Sequence, residues 1–109
     1  LIVCGGGIDC LFPDGDSGDN VQRILSAFQT DEKPICAICD GIEVLVHHDI
    51  LAGHMATARA GYFSDLYKNE DIIAVDLDVV VDGNVITADA PVQASWLVAE
   101  IVKKLEGHD

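Results

Sequence analysis

Between Pro34 and Leu45 the chain reads Pro34-Ile35-Cys36-Ala37-Ile38-Cys39-Asp40-Gly41-Ile42-Glu43-Val44-Leu45: an apolar run, then a cysteine, an acid and a glycine, then a second apolar run. Four apolar residues, Ile35 to Ile38, suit a strand buried on both faces. Ile42, Leu45 and Val46 suit one side of a helix running from about Gly41 to His48. A strand that turns directly into a helix leaves one side chain at the bend, which is the outline of a nucleophile elbow. A thiol placed there meets unpaired N–H groups and the positive end of the helix, a setting that lowers its pKa from about 8.5. A small apolar cysteine closing a buried strand explains the same residues, and the local pattern alone does not separate the two.

With 109 residues the chain is at most one small domain with a single core. Half its residues are hydrophobic and its mean hydropathy is +0.29, so it is globular and apolar for its size. The sequence contains no apolar run of about 18 residues, and no membrane span is expected. Six basic residues against 19 acidic ones leave a net charge of −13, which argues against nucleic acid or an anionic membrane as partner. A solvated acidic face is the simplest account of that charge.

Cys4, Cys10, Cys36 and Cys39 all fall in the first 40 residues. Cys36 and Cys39 have C-x-x-C spacing, yet on a strand they would face opposite sides unless the chain turns between them. With no second pair to complete a tetrahedral site, no metal and no cofactor are expected. Reduced thiols in a cytoplasmic protein fit better. The opening Leu1-Ile2-Val3-Cys4-Gly5-Gly6-Gly7 resembles a buried parallel strand ending in a glycine turn rather than a signal or transit sequence. A chain that opens this way reads as a piece of a larger fold.

The remainder alternates strand and helix. Ser17 or Asp19 can cap a helix carrying Val21, Ile24, Leu25 and Phe28. Gly53 permits a turn into a strand over Met55–Ala58, and Tyr62–Asn69 suits a short helix or loop. Ile72–Val81 reads as one strand, Asp82-Gly83-Asn84 as a tight hairpin turn and Val85–Ala88 as the return. Pro91 opens a last helix with Leu97, Val98, Ile101, Val102 and Leu105 on one side, and Gly107 stops it. His47 and His48 suit the surface at a helix C-terminus, His54 a surface position entering a strand and His108 a frayed tail. Trp96 suits core or interface, and Asp76 and Asp78 a solvated strand face.

Taken in this order, Leu-Ile-Val-Cys-Gly-Gly, Ala37-Ile38-Cys39-x-Gly41, Asp82-Gly83-Asn84-x-Ile86-Thr87 and the final amphipathic helix resemble the DJ-1/PfpI (ThiJ) superfamily over essentially the whole chain. The resemblance implies a flavodoxin-like three-layer α/β/α sandwich with a mostly parallel sheet. Residues 1–109 would then be one domain portion lacking the first two βα units, and incomplete without an N-terminal segment. It also implies a dimer or higher oligomer, and chemistry on a small-molecule substrate: hydrolase or amidase, glyoxalase or deglycase, or a redox-sensitive chaperone. Cys39 matches the family nucleophile, and the backbone N–H groups of Gly6 and Asp40 match its oxyanion donors. Arg59 matches a position where relatives use histidine or tyrosine, and could contact a substrate carboxylate or the thiolate.

Three departures follow from the same match. Asp40 stands where many relatives have histidine, Arg59 cannot serve as a base near neutral pH, and the family's acidic partner to the cysteine belongs to the N-terminal half. That half is expected on a separate chain, from a nick or a two-subunit enzyme, because its strands would otherwise leave the sheet edge open. Two function classes result: the nucleophile-bearing part of a cysteine-dependent enzyme, and a catalytically degenerate chaperone or structural subunit.

Overall fold

In the computed structural model, which describes residues 1–6 and 8–107, the apolar runs become a mostly parallel sheet between helices. The elements in chain order are β1 (Ile2–Val3), α1 (Gly18–Thr30), β2 (Ile35–Ile38), α2 (Gly41–His47) and β3 (Met55–Ala56). They continue with α3 (Ala60–Lys68), β4 (Ile73–Ala74), β5 (Val79–Asp82), β6 (Val85–Ala88) and α4 (Ala94–Leu105). The main sheet has the order β1-β2-β6-β5; its first three strands run parallel, and β5 returns antiparallel through the turn at Gly83, whose φ is +60°. β3 and β4 pair separately, parallel to each other.

The alternation of β2 explains why its sequence is apolar throughout. Ile35 and Ala37 point into a core built with Leu25 of α1, Ile42 and Leu45 of α2, and Leu66 of α3. Cys36 and Ile38 point the other way, to Ile86 and Ala88 of β6 and Leu97 of α4. Helices on both faces of a parallel sheet bury both sides of its central strand. That is the flavodoxin-like α/β/α arrangement expected.

Several boundaries differ from the sequence expectations. The opening strand is shorter than expected, β1 covering only Ile2–Val3, and it lies at the sheet edge with Leu1 and Ile2 exposed, the open edge expected of these residues by themselves. Cys4, just past β1, is exposed as well. The run Ile72–Val81 is two strands, because Asp76 to Asp78 bend the chain from one sheet to the other. β3 stops at Ala56: the next residue, Thr57, gives its N–H to the Thr87 hydroxyl (3.0 Å) instead of a ladder. Pro91 opens a short 3-10 turn, and α4 starts only at Ala94.

His48 is not a surface cap. It is buried, with Nε2 2.7 Å from the Leu11 carbonyl and Nδ1 2.7 Å from Gln22 Oε1, tying α2 to α1 and the loop before it. A carbonyl oxygen only accepts, so Nε2 carries a proton. Trp96 is about half exposed on the outer side of α4. His108 lies outside the described residues.

Candidate active site

The C-terminal ends of β1, β2 and β6 lie side by side, the edge of a parallel sheet where ligands commonly bind. Val3 pairs with Ala37, and Ile38 with Ala88. Two residues past Val3 and Ala37, Gly5 and Cys39 are neighbours; one residue past Ile38 and Ala88, so are Cys39 and Asp89. Cys39 is thus flanked by the residues that leave the two adjoining strands.

Cys39 sits at φ +55°, a left-handed conformation uncommon for a residue with a Cβ. Its N–H donates to the Ala88 carbonyl (3.1 Å), the last bond of the β2–β6 ladder, and its own carbonyl accepts from Ile42 N–H (3.3 Å) in the first turn of α2. The strained residue is therefore held from both sides, the condition under which such strain persists at functional sites. The turn also places Cys39 against the same cluster as Cys36, on the α4 side. Cys36 is closed off and its thiol is pushed up to about 11 by burial, whereas Cys39 is only half-buried.

Two glycines make the elbow fit. A Cβ on Gly41 would fall well inside contact distance of the Val3 carbonyl oxygen and 2.8 Å from the carbonyl carbon. One on Gly5 would stand 3.2 Å from the Asp40 nitrogen and 3.5 Å from the Cys39 Cβ. The loop after β1 therefore rests directly on the start of α2. Gly6 follows at φ +118°, a conformation that favours glycine.

Arg59 comes to the site from the residue before α3. Its Nε donates to Asp40 Oδ1 and its Nη2 to Glu43 Oε1 (3.2 Å). The Asp40 hydrogen bond raises its already high pKa, and a Cys39 negative charge adds to that effect, so the guanidinium and the thiol share one electrostatic environment. A Cβ on Gly61 would meet the Arg59 Nη1, the far end of a flexible side chain that would have to shift. Asp40 is turned toward Arg59, and the guanidinium fork already holds two carboxylates of its own chain. The four residues singled out from the sequence, Gly6, Cys39, Asp40 and Arg59, thus lie in or next to one elbow.

Two acids were missed by sequence reasoning. Glu43, one turn into α2, carries no sequence signal of its own, because Arg59 reaches it through space from the residue before α3. Asp89 had no signal of its own, because its neighbourhood depends on β6 pairing with β2. Its carboxyl has a raised pKa, first from burial and then from the charge of Asp78, and its Oδ1 is closed from solvent without a hydrogen-bond donor. Tyr62 on α3 is also shifted up, by burial and then by Glu43 and Asp65.

A sequence profile described as the DJ-1/PfpI family matches residues 1–104. The uncharacterized protein SERP1413 of Staphylococcus epidermidis is 37% identical over 97% of this chain, and the uncharacterized protein SAV1875 of Staphylococcus aureus is 34% identical over the same share. The chain spans about three-fifths of these relatives' length, 60% and 61%. Among solved structures, Drosophila melanogaster DJ-1beta superposes with a TM-score of 0.79 at 27% identity, covering 95% of this chain and 55% of that one. A ThiJ/PfpI domain protein from Brachyspira murdochii reaches 0.81 over 99% of this chain and 61% of its own, at 22% identity, which speaks for the fold alone.

Proposed function

The chain belongs to the DJ-1/PfpI family, and from that premise we propose that it is the nucleophile-bearing part of a cysteine-dependent enzyme. Cys39 would attack a small carbonyl or acyl compound and form a thio-adduct, in hydrolase or amidase chemistry or in glyoxalase- or deglycase-like chemistry. The observation that carries this reading is the φ of +55° at Cys39, held between the β2–β6 ladder and α2. Strain at a half-buried thiol is unneeded by a cysteine that only fills a core. The Gly6 and Asp40 N–H groups are the proposed oxyanion donors, and such donors lower a barrier by roughly 3 kcal/mol each. Arg59 is proposed as counter-cation to the thiolate. Its fork is occupied by Asp40 and Glu43, which makes it less suited to a substrate carboxylate.

We further propose that another polypeptide segment completes the sheet. The outer edge of β1 is unpaired among the described residues. Apolar cavities flank it, about 320 Å³ on the α1 side and about 380 Å³ on the α4 side. A strand added beside β1, followed by its helix, would cover Leu1, Ile2 and both hollows, and could bring a further acid toward Cys39. The exposed Trp96, Val98 and Val102 of α4 suit the contact of a dimer or higher oligomer. Four free thiols suit a reducing, cytoplasmic setting.

A catalytically degenerate chaperone or structural subunit is the second reading, favoured by the Asp40–Arg59–Glu43 cluster, which supplies neither histidine nor an unengaged base. Treating the protein with a small 2-oxoaldehyde or an activated ester separates the two. The enzymatic reading predicts consumption of at least one of these substrates, abolished by Cys39→Ser. Failure of both, or turnover that survives Cys39→Ser, would favour the second reading.

A further inference from the structure

The histidine pair at the end of α2 has no part in the chemistry proposed so far, yet it grips the loop that carries one of the oxyanion donors. His48 is 4% exposed; its Nε2 donates to the Leu11 carbonyl (2.7 Å), and its Nδ1 meets the Gln22 side chain (2.7 Å). His47, one residue earlier, packs its ring on that of Phe12, with the centroids 4.3 Å apart. Consecutive residues of the loop thus meet consecutive residues of the helix. The loop is wound tightly where it is gripped: Leu11 N–H donates to the Ile8 carbonyl (2.9 Å), Ser17 N–H donates to the Cys10 carbonyl (2.9 Å), and Ile8 is buried. At its other end the same loop rests on the start of α2, where a Cβ on Gly5 would stand 3.2 Å from the Asp40 nitrogen. α2 has 7 residues, about 10 Å of length, and holds the segment from Gly5 to Leu11 near both of its ends. Gly6, at φ +118°, lies between the two holds.

We propose that His48 is a positioning residue: through Leu11 it fixes the loop that presents the Gly6 N–H to the oxyanion formed at Cys39. The inference rests on the reading of Cys39 as nucleophile and of Gly6 as oxyanion donor. A backbone donor helps only when it is already aimed at the place where charge develops, and a misplacement of about 1 Å forfeits much of its effect. Gly5 and Gly6 have no side chain to hold them in place, so their hold comes from what lies on either side. The bond from His48 to the Leu11 carbonyl supplies it from the far side. Burial suits the imidazole to this task, because breaking the bond leaves both its N–H and the carbonyl without a partner. Gln22, whose amide donates to the Ser26 hydroxyl (3.1 Å), backs the ring from α1. α2 thus carries the nucleophile at its N-terminal end and steadies the facing donor from its C-terminal end.

The test compares His48→Leu and His48→Gln with the parent, each purified together with the segment that completes its sheet. p-Nitrophenyl acetate acylates a thiol through an oxyanion: Sγ adds to the carbonyl, charge develops on the carbonyl oxygen, and p-nitrophenolate leaves as the thioester forms, the thiol proton passing to solvent. Iodoacetamide labels the same sulfur by direct displacement of iodide, with no oxyanion. In His48→Leu, acylation of Cys39 should fall at least about tenfold while its alkylation stays within about twofold of the parent. His48→Gln, whose amide can still donate to Leu11, should recover most of the loss. Amide exchange read by peptide mass should rise about tenfold over residues 8–12 in His48→Leu, the worth of one hydrogen bond, and stay unchanged in α4. Phe12→Ala, which frees the loop from His47, should show the same split in smaller measure and serves if His48→Leu does not fold. A general loss of structure would move acylation and alkylation together. That joint fall, undiminished acylation, or unchanged exchange over residues 8–12 would each overturn the proposal. A parent that is not acylated at Cys39 fails the nucleophile reading first and takes this proposal with it.

Discussion

Replacing Gly41 by alanine asks the most of the elbow for the smallest change. The added carbon would stand 2.8 Å from the Val3 carbonyl carbon, inside the contact with the attached oxygen, and 3.2 Å from the Cys4 carbonyl carbon. Ordinary carbon–carbon contact is about 3.5–4.0 Å, so either β1 or α2 must retreat by about 1 Å. β1 cannot retreat freely, because the Leu1 carbonyl accepts from Cys36 N–H (2.8 Å) and Val3 is paired with Ala37. α2 cannot either, since Ile42, Val44 and Leu45 are fully buried. Overpacking of this kind costs about 1–3 kcal/mol, and the backbone atoms that are hit put Gly41→Ala at the upper end. The helix-propensity gain of alanine over glycine, about 1 kcal/mol, offsets part of that. A net loss of about 2 kcal/mol should lower Tm by roughly 8–16 °C in a domain of this size. Urea and thermal unfolding of the protein purified together with the segment that completes its sheet would measure it, with Gly53→Ala as comparison, where only backbone strain is introduced and no neighbour lies within 4 Å. A Gly41→Ala protein as stable as the parent would refute the close approach of β1 to the elbow.

Other perturbations read other parts of the account. Burial pushes the Cys36 thiol from 9.0 up to about 11, so the native state holds that proton more tightly than the unfolded chain. Its contribution is complete below pH 9 and drains away as pH rises through about 11, with an upper bound of about 3 kcal/mol. The stability difference between parent and Cys36→Ala in urea should therefore shrink from pH 8 to pH 11, and parallel losses would contradict the burial. Arg59→Ala should slow Cys39 alkylation at neutral pH several-fold while leaving far-ultraviolet dichroism unchanged; an unaltered pH titration of labelling would reduce Arg59 to a tie between Asp40 and Glu43. Residues 1–109 expressed alone should be insoluble or molten, with weak near-ultraviolet dichroism and strong dye binding, and co-expression with the two leading βα units should restore a cooperative transition. Cooperative unfolding of the isolated monomer would show that the β1 edge needs no cover.

The elements legible from sequence were those whose burial pattern is local. β2 announces itself because both of its faces are covered, and α1 and α4 because one face is. The elbow was legible because a strand, a cysteine and a helix-opening glycine are contiguous. What the sequence hid were relations between distant segments. Ile72–Val81 looks like one strand by composition, and only its two different pairing partners divide it. His48 carries no pattern that separates a helix-end cap from a buried tie to Leu11 and Gln22. Arg59 could be matched to the site but not to its partners, because Asp40 and Glu43 reach it through space. Asp89 was invisible for the same reason: an acid after a strand is ordinary until the hairpin sets Asp78 beside it.

Native-state alkylation tests the central claim most directly. With limiting iodoacetamide at neutral pH, peptide mass mapping would rank the four cysteines by rate. Cys4 and Cys10 are exposed, Cys39 is half-buried and Cys36 is closed off. Exposure alone orders them with Cys4 and Cys10 first. An elbow nucleophile beside Arg59 reverses that order, so Cys39 should label ahead of both exposed thiols and Cys36 last. Labelling of Cys39 no faster than Cys4 and Cys10 would contradict an activated thiol, and labelling of Cys36 ahead of Cys39 would contradict the elbow itself.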